Sequence, residues 1–80
     1  MKHLQHTVKA IITEGDDFGY VGSCFGLPVV SQGNTLDEIV NNLKEAIELH
    51  FEGENLSEMG FIDNPSIVIT YELEPVYAKA

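Results

Sequence analysis

The chain has no arginine and no tryptophan, only four lysines, a single cysteine and three prolines. Four cations against thirteen acids leave a formal charge of -9, with ten of the acids falling from Asp37 onward. A nucleic-acid binder needs a positive stripe to displace counterions from phosphates, so direct nucleic-acid binding is disfavoured. No window approaches the ~20 apolar residues of a membrane span, and the opening residues MKHLQHTVK hold no apolar run of the signal-peptide kind, so no membrane contact is expected. The lone Cys24 forbids an internal disulfide and fits a reducing compartment. A soluble, cytoplasmic protein is the expectation. Neither G-x-G-x-x-G nor G-x-x-x-x-G-K-[ST] occurs, so no phosphate cradle and no cofactor is written.

What is present is a chain of 80 residues, 44% hydrophobic, which makes one folded domain. A chain this short buries only about 60% of the surface its unfolded form exposes, and self-association would help it. The organising stretch is residues 31–53. Leu36, Ile39, Val40, Leu43, Ala46, Ile47 and Phe51 fall on one stripe of an amphipathic helix. Thr35 with Glu38 forms a capping box in which each side chain satisfies a backbone N–H, and Gly53 suits the left-handed residue beyond the helix end near Glu52.

Residues 7–13 alternate Val8, Ala10 and Ile12 against Thr7, Lys9, Ile11 and Thr13, a first strand. After the turn residues 14–17, a second strand over 18–25 completes a hairpin; its glycines mark a bulge, strong twist or close approach of the helix. Pro28 cannot donate to a ladder, which places the short run 29–31 at a sheet edge, and residues 32–34 turn into the helix. Residues 53–65 read as an ordered loop with room for a helical turn, Leu56, Met59, Phe61 and Ile62 tucking under the helix. Residues 66–74 form the last strand, ended by Pro75. The fold class is α+β, a single β-β-β-α-β domain. Three antiparallel strands are followed by a helix on one face and a fourth strand parallel to the first, in order 3-2-1-4. The other face, with Ile11 and Val68, is left for a partner subunit.

Candidate chemistry is sparse. His3 and His6 are three apart, which on a strand turns them to opposite faces and makes them poor metal ligands. His50 reads as a boundary histidine or a catalytic one, and Cys24 as a small buried hydrophobe or, given a base from afar, a nucleophile. Neither Ser23 nor Ser31 lies in a nucleophile elbow. The first strand carries no carboxylate for two-metal chemistry, leaving Asp16 and Asp17 in the turn as the nearest metal-dependent hydrolase or nuclease candidates. On the helix, Asp37, Glu38, Glu45, Glu48 and Glu52 share the side away from the stripe, with Leu49 projecting among them. That is a solvated face with one ordinary exposed leucine, or an acidic ridge with an apolar anchor for a basic partner.

Gly19-Tyr20-Val21, Leu27-Pro28, Ser31-Gln32-Gly33, Thr35-Leu36-Asp37-Glu38 and Asn42-Leu43-Lys44-Glu45-Ala46-Ile47, in this order, resemble the HicB-like antitoxins and their uncharacterised relatives. The similarity covers residues 7–52, and the order of elements extends it through 74. Pro28-Val29-Val30 stands where the family has Pro-Gly-Cys. The resemblance implies a reduced ribonuclease-H-like fold without catalysis that masks a small basic ribonuclease toxin of double-stranded-RNA-binding-domain type. It also implies a homodimer or homotetramer. Longer members add a helix-turn-helix or ribbon-helix-helix for operator DNA; residues 1–80 read as one HicB-like domain without a separate DNA-binding domain. The expectation is therefore a non-enzymatic antitoxin-like protein, with partner-binding residues Glu45, Glu48, Leu49 and Glu52 on the helix and Asp16 and Asp17 in the turn. The alternatives are the hydrolase or a self-associating binding module with no toxin.

Overall fold

Val8, Ala10 and Ile12 alternate with polar or half-exposed residues, and a computed structural model, which describes residues 3–73, turns that alternation into two faces of one strand. This strand, β1 (Gln5–Glu14), pairs antiparallel with β2 (Tyr20–Cys24) and parallel with β4 (Phe61–Tyr71), while β2 pairs antiparallel with β3 (Val30–Gly33). The helix α1 (Leu36–Phe51) lies between β3 and β4 in sequence, and the sheet order is β3-β2-β1-β4. The expected α+β class, β-β-β-α-β order and parallel first and last strands are all present. No helix among the described residues is long and apolar enough to cross a membrane.

The helix starts and stops where its caps dictate. Thr35 is extended and its hydroxyl accepts from the Glu38 N–H at 3.1 Å, while Glu52 caps the other end and its N–H donates to the Leu49 carbonyl. Gly53 follows with φ 75°, a conformation that costs a residue with a Cβ. The reciprocal half of the capping box differs from expectation. Glu38 Oε1 accepts at 2.9 Å from the N–H of Asn34, one residue before the cap, because its side chain reaches past Thr35.

One face of the sheet and one stripe of α1 form the core. Ile39 and Leu43 meet Ala10 and Ile12, and Ile47 meets Val8, Val29 and Phe61, all buried. Burying an aliphatic side chain of this size stabilises the fold by about 1.5 to 3 kcal/mol, so these few residues carry much of a marginal stability. At the far end of β1, Tyr20 and Tyr71 stack edge to face with centroids 5.8 Å apart, and the Tyr71 hydroxyl donates to Glu14 at 3.4 Å. Not all of the expected stripe is buried: Leu36 and Val40 are each 39% exposed. The helix backbone sits nearest β2 and β3, which leaves the flank of α1 towards β4 only partly covered.

Several boundaries move. The second strand is shorter than 18–25, since Phe18 belongs to the turn and Phe25 follows the strand, although its N–H still donates to the Lys9 carbonyl. The third begins one residue later and takes in Gln32 and Gly33; buried Val29 precedes it and accepts from the Cys24 N–H. The largest change is in β4, which starts at Phe61 and contains Pro65 rather than starting at Ser66. Tyr71 ends it, so Leu73 lies beyond the strand, and the expected ending at Glu74 and Pro75 falls outside the described residues.

Pro65 is tolerated for a geometric reason. The Glu72 N–H donates to the Ile12 carbonyl, so by strand alternation the even-numbered residues from Ser66 onward turn their backbone groups to β1 and the odd-numbered ones turn outward. Pro65 is on the outward side of an edge strand, where a missing N–H costs no ladder bond. A register shift accommodates the change before it: Gln5 pairs with Phe61 but Thr7 with Ser66. The loop before β4 is correspondingly short, turning through Asn55 to Gly60, with Leu56 and Met59 packed on the core as expected. Ile62 is half-buried within the strand.

Candidate functional site

Glu45 and Glu48 on α1 and Glu52 at its C-cap, at spacings of three and four residues, follow one another along a narrow arc opposite buried Ile39, Leu43 and Ile47. All three are exposed, as is Asp37 in the first turn. Their positions follow from the apolar period of the helix: once the stripe is buried, these residues have only solvent to face. Glu38 is exposed too, but its carboxylate is engaged at the cap.

Leu49 is 61% exposed beside this ridge, on the flank towards β3. It is less isolated than the sequence indicated. With Ala46, His50, Pro28, Val29 and Val30 it lines a shallow hollow of about 360 Å³, and Val30 is itself 69% exposed. Pro28 and Val30 were missed as candidate contacts because only the packing of α1 beside β3 brings them to Leu49. Asn42 on the same flank of α1 donates to the Gln32 carbonyl at 2.8 Å and ties the helix to β3. The hollow is therefore built from α1, the first residue of β3 and the loop residues Pro28 and Val29 just before it.

Asp16 and Asp17 are exposed in the β1–β2 turn and line a different hollow, of about 600 Å³, with Phe18, Tyr20, Asn34 and Glu38. This hollow lies at the N-terminal end of α1. Ten residues at 1.5 Å of rise separate Glu38 from Glu48 by roughly 15 Å, so the turn acids and the helix ridge are two surfaces, not one. Among the described residues no three His, Cys, Asp or Glu side chains are placed to hold a metal ion, and Asp16, Asp17 and Glu38 border their hollow without forming such a set.

The remaining singled-out residues have structural surroundings. His50 is half-buried with its ring tilted against Phe51, 6.0 Å between centroids. His6 is exposed on β1, and His3 precedes that strand. Cys24 is half-buried against both core clusters, and burial pushes its thiol above the ordinary value, which keeps the poorly nucleophilic protonated form. No protein-family model, curated protein or solved structure matches the chain.

Proposed function

We propose that this chain is a non-enzymatic, HicB-like antitoxin module that binds and neutralises a small basic ribonuclease toxin. The observation that carries the reading is the exposed ridge of Glu45, Glu48 and Glu52 next to exposed Leu49 and Val30, on a chain of charge -9. Acids on a rigid face attract a basic protein over several ångströms, and an adjoining apolar hollow gives the docked partner somewhere to exclude water. The fold suits the role by presenting this ridge on a helix whose opposite side is fixed in the core. The ordered motif resemblance over residues 7–52 supplies the nature of the partner.

Co-expression provides the test. The proposal requires a short basic ribonuclease encoded beside this chain that arrests growth when produced alone and ceases to do so when the chain is co-produced, with the two proteins co-purifying. Absence of any such neighbour, or growth arrest that co-production does not relieve, counts against the toxin. Metal-dependent nuclease activity of the purified chain that disappears in Asp16→Asn with Asp17→Asn would instead establish the hydrolase.

A further inference from the structure

We propose that the outer edge of β4 pairs antiparallel with β4 of a second copy of this chain, joining two four-stranded sheets into one. This rests on the open sheet and not on the toxin reading. β4 is eleven residues long and, among the described residues, lies at one end of the sheet order, whereas the opposite edge strand β3 has four. A long unpaired edge is usually guarded by charge, a bulge or proline. Here the charged residue is Asp63 and the proline is Pro65, both in the first half, and the half from Ser66 to Tyr71 carries no charge at all. That neutral stretch is conspicuous in a chain of charge -9, whose copies repel one another over most of their surface.

The edge is also self-complementary. Ile67, Ile69 and Tyr71 present their N–H and C=O groups outward, by the alternation that the Glu72–Ile12 hydrogen bond fixes. The usable edge is bounded by Pro65, which lacks an N–H, and by the strand end at Tyr71, and its central residue among the outward three is Ile69. A two-fold axis at Ile69 sets Ile69 opposite its own copy and Ile67 opposite Tyr71 of the other chain. Every outward N–H of both segments then finds a carbonyl, and the proline gap falls beyond the strand end. Side chains agree with this register. The odd residues lie on the helix face, where Ile67 and Ile69 are only half-buried and where Leu36 and Val40 are left partly uncovered. Val68 and Thr70, both exposed, meet across the axis on the opposite face. A second copy thus completes both the backbone edge and the apolar flank beside it.

Sedimentation of the wild-type chain at micromolar concentrations should show a dimer that tightens as salt rises, because screening removes repulsion between two acidic copies. Amides of Ile67, Ile69 and Tyr71 should gain hydrogen-exchange protection as concentration increases. Val68→Glu with Thr70→Glu sets carboxylates against carboxylates across the axis and should raise the dissociation constant by at least about tenfold, while Val21→Glu, at an exposed position of β2 on the face away from the helix, should leave it unchanged. A monomer at these concentrations overturns the proposal, as does a dimer whose β4 amides stay unprotected. A dimer dissolved by Val21→Glu but not by the β4 changes also overturns it and assigns the open sheet face instead. The wild-type exchange pattern decides the matter even if the double variant fails to fold.

Discussion

Gly22 in β2 lies directly beneath Leu43 of α1: a Cβ built on Gly22 would overlap the Leu43 Cδ1 atom. The missing side chain on the strand is what lets the helix settle onto the sheet with Leu43 fully buried. Gly22→Ala should therefore overpack the core and cost about 1 to 3 kcal/mol, and Leu43→Ala should cost about 2 to 5 kcal/mol by leaving a cavity. Combining them should cost less than the sum, since each change relieves the other. Denaturant titrations of the double-mutant cycle measure this; strict additivity would mean the two residues do not touch.

The N-cap is a second, weaker determinant. Thr35→Ala removes the acceptor for the Glu38 N–H and should lower stability by about 1 kcal/mol. Glu38→Ala should cost a similar amount through the Asn34 N–H, while Thr35→Ser should be nearly neutral. A loss from Thr35→Ala equal to that from Leu43→Ala in the same titrations would contradict this ranking.

Burial holds the Cys24 thiol above its ordinary 9.0, so the native state retains a proton that the unfolded chain loses first. The contribution is fully present below that ordinary value and is lost as pH rises through it towards the raised native value. Stability of the wild type should fall more steeply above pH 9 than that of Cys24→Ala, and alkylation of the native thiol should be slower than that of the unfolded chain. Equal pH slopes, or fast native alkylation at neutral pH, would show an exposed, activated thiol.

The ridge and the hollow should act on different rate constants. If the proposed basic partner exists, Glu45→Lys with Glu48→Lys should reduce its association rate by about tenfold at low salt, whereas Leu49→Asp should chiefly speed dissociation of the complex. Stopped-flow mixing and dissociation chases separate the two. If Asp16→Lys with Asp17→Lys slows association and the helix changes do not, the docking surface is the turn at the other end of α1.

Local patterns account for how much of this was legible in the sequence. The alternation around Val8, Ala10 and Ile12, the apolar spacing of Ile39, Leu43 and Ile47, and the Thr35 cap each confine the information to a few neighbouring residues, and all three survive in the fold. Exposure of Leu36 and Val40 was hidden because it depends on which strands α1 covers, a property of packing and not of period. Pro65 read as a loop residue because proline ordinarily breaks a ladder; only the register of β4 against β1 reveals that its nitrogen faces away. In the candidate site, the glutamates were visible as a helical face, but the neighbourhood of Leu49 with Pro28 and Val30 required the third dimension.

The central claim is that the acidic helix face captures a basic toxin. The measurement that tests it most directly is the association rate of the purified chain with a small basic ribonuclease encoded beside it, across a range of ionic strength, for the wild type and for Glu45→Lys with Glu48→Lys. The account predicts a wild-type rate that falls steeply with salt and a variant whose slower rate has lost much of that dependence. Binding that is absent, or whose rate and salt dependence are the same in both proteins, would contradict it.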